Sequence, residues 1–545
     1  MKSRCTHQPA ISAGLPTWPR RDFLGVLAAG SLSLLARAQV APLSTRSRTN
    51  VLMIVADDMG FADLGCYGSE IHTPNLDRLA HGGVRYAQAY SFARCCPSRA
   101  ALLTGLPPQR AGLGFMVSHD DPPLANPVGY QGFIRGDVPI VAEVLRQAGY
   151  RTGLSGKWHV GEHRPHWPCD RGFDESWGLI GGACSYFDPS GNRAQRRHRQ
   201  VFHNDRPLSV NPADGFYFTD EITQHAITQI REATSTDRPF FHYVGFTAPH
   251  WPLHARAEDI VLYRGRYRAG WDEVRLERHK RQIDLGLVDA EWGLAPRDTA
   301  VAAWTGLSNP EEMAHKMAVY AAQIHRLDHQ VGRILDALEA TGQSENTLVL
   351  FVSDNGGDAS LPPVVDPIYH RYDATTLGGP RSYTGYGPGW GQVSNTPFRR
   401  YKRYAHEGGV AVPMIVNGPG FTKAGDWCRL PVTFLDIVPT VLAAAGVPRA
   451  GLPGRNLADA QAVSAPFVHG WEHMGHRAYR MGDQKLVAAD GEPWEFFDLA
   501  SDRCELRDLA GERPDELAAL TAQYDDWARS NAVLPWPVAL NGSFG

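Results

Sequence analysis

Asn50-Val51-Leu52-Met53-Ile54-Val55-Ala56-Asp57-Asp58 is the stretch that decides the fold. An unbroken apolar run this short, without polar alternation, fits a strand buried on both faces, as in the centre of a parallel sheet. Its abrupt end in two carboxylates places chemistry at the strand exit. Two later runs repeat the pattern: Phe240-Phe241-His242-Tyr243-Val244-Gly245-Phe246 leads to His250, and Thr347-Leu348-Val349-Leu350-Phe351-Val352-Ser353 ends in Asp354-Asn355. Open α/β sheets carry their sites at the carboxyl ends of strands, so these three exits are predicted to meet. Between the runs, apolar residues recur at helical spacing over Val138 to Ala148 and Met313 to Ala340. The alternation predicts an α/β domain with a mixed, mostly parallel sheet between helices.

Around this centre the chain divides into three parts. Pro19-Arg20-Arg21-Asp22-Phe23-Leu24 precedes an apolar stretch from Gly25 to Leu35 that closes in Ala36-Arg37-Ala38. This looks like a twin-arginine export signal over residues 1–38, too short to span a bilayer and ending in a removable small-residue pattern. It predicts passage through a twin-arginine translocase to a periplasmic or secreted location, with no membrane anchor. Residues 49–447 read as the catalytic domain. The Pro/Gly-containing stretch Pro448 to Arg455 marks a boundary, and 448–545 reads as a smaller C-terminal α+β unit with strand-like pieces such as Gln484 to Ala488. The segment from Gly356 to Thr396, rich in Gly, Pro and Tyr, reads as a rim over the site.

Composition excludes several function classes. With 43% apolar residues, 21% charged residues and a formal charge of −4, the chain is an ordinary globular protein with no basic signature for nucleic acid. Eight cysteines in 545 residues are too few for a disulfide scaffold, and no Cys-x-x-Cys pairing suggests zinc. An oxidising compartment permits a bridge such as Cys169 with Cys184, although sequence leaves connectivity open.

The most specific string is Cys95-Cys96-Pro97-Ser98-Arg99-Ala100-Ala101-Leu102-Leu103-Thr104-Gly105. Pro97 fits the first turn of a helix starting near Cys95, where no N–H is needed. The free N–H groups and positive end of that helix then face an anion, and Arg99 adds a fixed positive charge. Cys-x-Pro-Ser-Arg followed by Leu-Leu-Thr-Gly resembles the signature of type I sulfatases, of the alkaline phosphatase-like superfamily. The resemblance implies that Cys95, not Cys96, is oxidised by a formylglycine-generating enzyme to an aldehyde whose hydrate offers two hydroxyls.

Further motifs extend the likeness from about Asn50 to the C-terminus. Asp57-Asp58 and Asp354-Asn355 supply hard oxygen ligands, which favour calcium or magnesium over zinc. Together they resemble the sulfatase metal site, to which the modified Cys95 also contributes and which in many members holds calcium. Gly156-Lys157-Trp158-His159-Val160-Gly161 matches the family's Gly-Lys-Trp-His-x-Gly; the resemblance implies that Lys157 binds sulfate and His159 contacts the aldehyde hydrate. Ala248-Pro249-His250 supplies another histidine, and Asn395 to Lys402 followed by His406-Glu407-Gly408-Gly409 supplies a second lysine, Lys402. The implied catalytic set is Cys95, Arg99, Lys157, His159, His250 and Lys402, with His250 or Lys402 protonating the departing alcohol.

Tyr263 to Asp272 with Arg278-His279-Lys280-Arg281-Gln282, and the ending Trp494 to Leu499, resemble the bacterial arylsulfatase branch. The basic segment reads equally as a solvated helix. His325 stands where that branch leads one to expect aspartate, outside the catalytic set. The expected activity is hydrolysis of a sulfate monoester. The alternatives are a phosphonate or phosphodiester hydrolase of the same superfamily, or a silent sulfate-ester-binding protein if Cys95 stays a thiol.

Overall fold

A computed structural model describes residues 48–121, 124–189, 201–361, 376–421, 425–459, 461 and 464–544. The export-type segment 1–38 lies outside the described residues. From Ser47 to Gly545 the chain forms one compact unit.

The Asn50 run is the strand Asn50–Asp57, with Val51 to Ala56 fully buried because the sheet continues on both sides and helices cover both faces. Across the ten-stranded sheet the order is Trp427–Cys428, Val84–Tyr86, Met414–Asn417, Thr347–Ser353, Asn50–Asp57, Phe240–Pro249, Arg151–Lys157, Glu175–Leu179, Val201–His203 and Arg206–Leu208. The centre, from Thr347–Ser353 to Glu175–Leu179, is parallel. Towards both edges antiparallel pairs appear. Central pairing in register sets Ala56 beside Ser353 and Asp57 beside Pro249, so the predicted exits open on one edge.

Both predicted helices form, as Val141–Gln147 and Pro310–Ala340. Beyond residue 447, Val468–His473, His476–Met481, Gln484–Ala488 and Glu495–Asp498 make a four-stranded antiparallel sheet. The helix Pro514–Ser530 packs on it, sharing a small apolar cluster of Tyr479, Leu486, Phe496, Leu520 and Tyr524. The sheet docks on the main body: Trp471 Nε1 donates to the Ser91 carbonyl at 2.8 Å, and Gln109 Nε2 to the Glu472 carbonyl at 3.2 Å.

Three expectations change. No disulfide joins Cys169, in the turn Pro168–Arg171, to Cys184, past the strand Glu175–Leu179. The basic segment is a helix, Gly270–Asp284, but one face is not solvated. Arg278 is fully buried between Asp63 at 2.7 Å and Glu70 at 2.8 Å, because a guanidinium can leave water when carboxylates take its donors. Of the supposed rim, 362–375 lies outside the described residues, and the helix Gly387–Ser394 is buried in the body of the fold.

Candidate active site

Cys95 opens the helix Cys95–Thr104, capped by Arg94 in extended backbone and ended by Gly105 at φ 69°, a left-handed position that suits glycine. Pro97 sits in the first turn, where its missing N–H costs nothing. Every residue of this helix is buried, so its N-terminal N–H groups and dipole act in a poorly screened setting.

Arg99, one turn on, is fully buried and donates through Nε to Asp354 Oδ2 at 2.9 Å and through Nη1 to the Tyr243 hydroxyl at 3.1 Å and the Lys157 carbonyl at 3.3 Å. Gly245 makes room for it: a Cβ there would lie 2.6 Å from the Lys157 carbonyl oxygen and 3.2 Å from Arg99 Nη1.

The carboxylates cluster at the predicted edge. Lys157 Nζ is 2.6 Å from Asp57 Oδ2. Lys402 Nζ is 2.7 Å from Asp58 Oδ1. Asn355 Nδ2 donates to Asp58 Oδ1 at 2.7 Å, the Asp58 N–H donates to Asp354 Oδ1 at 3.2 Å, and His250 Nε2 is 3.4 Å from Asp58 Oδ2. Asp58 reaches this position with φ 64°.

Burial pushes Asp57 up to about 6, against the pull of Lys157 and Arg99. Burial and the neighbouring Asp57 raise Asp354 to about 7. Burial is the first cause of both shifts, and each carboxyl also feels its acidic neighbours alongside Lys157 and Arg99. Two buried oxygens, Asp57 Oδ1 and Asn355 Oδ1, have no hydrogen-bond partner among the described residues. Orphaned oxygens among crowded carboxylates are what a hard cation satisfies, so the donor set fits calcium or magnesium.

Near the nucleophile, the Cys95 thiol is driven well below its ordinary value, first by the hydrogen bond from Cys96 and then by Lys157, His159 and Lys402. Burial drives Cys96 the other way. The two adjacent cysteines are thus inequivalent: Cys95 faces the cations. His159 Nε2 lies 3.3 Å from Cys96 Sγ, and its ligand atom groups with both sulfurs within 4.8 Å. Burial lowers His250 to about 4 and leaves its imidazole neutral at pH 7.

A sequence model of the Sulfatase family matches residues 49–447. The chain belongs to the sulfatase family. It is 36% identical over 532 residues to an uncharacterised sulfatase of Schizosaccharomyces pombe, covering 90% of this chain and 95% of that one. It is 34% identical over 418 residues to an arylsulfatase of Klebsiella aerogenes, covering 75% and 89% of the two chains. Among solved structures, Ps i-CgsB in complex with k-i-k-neocarrahexaose superposes with a TM-score of 0.67 at 26% identity, covering 90% of this chain and 95% of that one. The protein is a sulfuric ester hydrolase with the family's α/β fold, and formylglycine and a divalent metal are general to that family.

The candidate catalytic and metal-ligating residues named from the sequence meet at this edge, and the fold adds others to the sulfatase site. Asp358 accepts from Trp251 Nε1 at 3.1 Å and lies 4.0 Å from Lys402 Nζ. Burial works against its ionisation, yet Lys402 holds it down to about 2. Its signal was present four residues beyond Asp354, across Gly356-Gly357. Asp63 accepts from the Gly60 N–H at 2.8 Å, the Tyr320 hydroxyl at 2.7 Å and Arg278, fixing the turn that carries Asp58. Glu407, in the tail of the lysine motif, joins the C-terminal sheet rather than the reacting centre: Lys485 Nζ is 2.8 Å from its Oε1.

Proposed function

We propose that the protein hydrolyses sulfate monoesters of the arylsulfatase type with Cys95, oxidised to formylglycine, as attacking residue. Asp57, Asp58, Asp354 and Asn355, with the modified residue 95, are proposed to hold a calcium ion, magnesium being the alternative. The observation that carries this reading is the pair of buried, unpartnered oxygens, Asp57 Oδ1 and Asn355 Oδ1, at the strand edge where Arg99, Lys157 and Lys402 gather.

When present, the cation neutralises sulfate oxygens and the aldehyde hydrate supplies the attacking oxygen. The chain's own residues do the rest. Arg99 keeps the nucleophile helix locked to Asp354. Lys157 and Lys402 place two ammonium groups on the sulfate, each pre-oriented by a carboxylate and so costing little reorganisation. His159 Nε2, beside the cysteine pair, is placed to accept a proton from residue 95. Lys402 Nζ, on Asp58, hands a proton to the leaving oxygen, whereas His250, neutral at pH 7 and donating through Nδ1 to the Trp251 carbonyl, offers Nε2 only as an acceptor. Burial of the whole set excludes bulk water and strengthens each of these charge interactions.

Export by the twin-arginine route, which carries folded proteins, would require oxidation of Cys95 by a formylglycine-generating enzyme before translocation, with the periplasm or exterior as destination. The test is the mass of the Cys95 peptide from protein made in its native host, alongside sulfate release from 4-nitrophenyl sulfate. A peptide about 18 Da lighter than the thiol form, outside the mass gains of the cysteine oxidation ladder, together with release is the expected result. An unmodified thiol in a protein that still releases sulfate would overturn the role of Cys95. The aldehyde without release from sulfates, but with release from phosphonates or diesters, would overturn the substrate class.

A further inference from the structure

Beside Cys95, and apart from Arg99, Lys157 and Lys402, basic side chains gather with no ion-pair partner among the described residues. Arg94 immediately precedes Cys95 and caps its helix. Its Nη1 reaches the Met474 sulfur at 3.8 Å, and its buried Nε has no hydrogen-bond partner. Arg403 follows Lys402; it holds φ 85° while its N–H donates to the Ala93 carbonyl at 2.7 Å, so its backbone is pinned against the residue before Arg94. Strained backbone held this way concentrates at functional sites. Among the described residues neither guanidinium pairs with a carboxylate.

The C-terminal sheet completes the cluster. The turn between Val468–His473 and His476–Met481 passes Arg94, with Met474 at φ 56° and Gly475 at φ 80°. His473 is 2% exposed, and neither ring nitrogen has a hydrogen-bond partner. Its ring stacks on Phe115 at 5.9 Å and 24°. Arg94, His476 and Arg403 each act on His473, and so does Cys95, which places the cluster within electrostatic reach of the nucleophile. The acids that reach it are Asp358, already 4.0 Å from Lys402, and Asp490 beside His476.

A structure that buries two unpartnered imidazole nitrogens and an unpartnered guanidinium nitrogen beside one another forgoes stability unless a ligand satisfies them. Guanidinium donors in a fork, with an N–H of imidazole, suit a planar carboxylate or a sulfate. We infer that Arg94, Arg403 and His473 form a second anion subsite next to the scissile sulfate, so that the preferred substrate is a sulfate ester carrying another sulfate or a carboxylate nearby. The inference rests on the reading of Cys95 as the attacking residue. It assigns the C-terminal sheet a part in substrate choice.

The experiment uses fully modified, full-length protein and measures sulfate release from phenyl sulfate, the three phenylene bis-sulfates and the three carboxyphenyl sulfates. At least one dianionic isomer is expected to exceed phenyl sulfate in kcat/KM by about tenfold, mainly through KM, as one added charge-assisted contact would give. That preference falls to about twofold or less in Arg94→Gln and Arg403→Gln, and returns in part in Arg94→Lys, which keeps the charge without the fork. Arg449→Gln, exposed and remote in sequence from the site, retains the preference. A preference confined to bis-sulfates identifies the second group as sulfate; one confined to the carboxyphenyl series identifies it as carboxylate. Hydrolysis of phenyl sulfate with no preferred dianion, or a preference that survives both Gln variants, overturns the subsite. No hydrolysis of any ester by aldehyde-bearing protein overturns the sulfatase reading beneath it.

Discussion

Replacing Lys485 by Met tests what joins the C-terminal sheet to the catalytic body. Lys485 Nζ lies 2.8 Å from both Glu407 Oε1 and Glu505 Oε1, and all three side chains are fully buried. Glu407 Oε2 also accepts from the Tyr90 hydroxyl at 2.9 Å and Arg503 Nε at 3.2 Å, while the Glu407 N–H donates to Glu505 Oε2 at 3.1 Å. Burial works to raise Glu407, but Lys485, then Arg503 and Arg480, hold it down to about 2. Methionine fills most of the lysine volume and leaves no large cavity, so the loss is electrostatic. It strands two buried carboxylates around a single remaining close cation, Arg503.

Breaking a buried ion pair from one side costs about 3–5 kcal/mol. At roughly 1.4 kcal/mol per decade, hydrogen exchange of amides in the strands from Val468 to Asp498 should quicken by at least about a hundredfold, if the sheet opens as a unit. Amides of the central strand Asn50–Asp57 serve as the internal reference. Adding Glu505→Gln to Lys485→Met should recover part of the loss, since a neutral amide tolerates burial better than an unpaired charge. A change below about 1 kcal/mol in the single variant, or no recovery in the double, would refute the account in which this network docks the sheet.

His325→Asp and His325→Ala should leave kcat/KM within about twofold: His325 meets Tyr263 at 3.3 Å and stacks on His72, away from every catalytic residue. Asp358→Asn should lower kcat by about tenfold to a hundredfold with a smaller change in KM, because Lys402 loses the charge that orients it from one side; steady-state kinetics on 4-nitrophenyl sulfate reads the split. Glu70, despite burial that raises it, is held at about 2 by Arg278, below its ordinary 4.5. It therefore contributes about 3 kcal/mol that is complete above pH 4.5 and is lost as pH falls through 2; denaturant midpoints of wild type and Glu70→Gln should differ at pH 7, differ by about half as much at pH 3, and converge only below pH 2. Treatment with a chelator should abolish turnover and lower the melting temperature together, and calcium should restore both; a chelated protein with unchanged melting would count against the metal site.

What could be read from the sequence is what local chemistry determines. Asn50 to Ala56 had to be a doubly buried strand because nothing in it could face water, and Pro97 could stand only in a first turn. The candidate site residues were legible in two ways: local geometry gave a strand exit for Asp57-Asp58 and a helix start for Cys95, while resemblance to sulfatase motifs gave Lys157, His159, His250 and Lys402. The antiparallel edges of the sheet were not legible, since Met414–Asn417 reaches its place beside Thr347–Ser353 only through long-range pairing. Arg278 looked like one more cation on a wet helix, and only the approach of Asp63 and Glu70 from another part of the chain makes its burial tolerable. His473 carried no motif at all; its hairpin reaches Cys95 through the docking of a whole sheet.

The charges at the reacting centre bear on which ester it accepts. Asp57, Asp58, Asp354 and Asp358 face Arg99, Lys157 and Lys402, and His250 is neutral at pH 7, so the acids exceed the cations by one. The upward shifts of Asp57 and Asp354 come first from burial, to which the neighbouring acids add. A divalent cation among the acids would reverse the balance to a single positive charge, which a monoanionic ester closes. Sulfate monoesters carry one charge at every pH at which the protein is folded. Phosphate monoesters are mostly dianions at neutral pH and would leave the buried set negative again, an expensive condition at low dielectric. Monoanionic phosphonates and diesters match the count, so against them the centre must discriminate by shape and leaving-group contacts. Arg94, Arg403 and the neutral His473 lie outside this balanced set, and the uncompensated charge of the two guanidiniums is what a second anionic group on the substrate would meet.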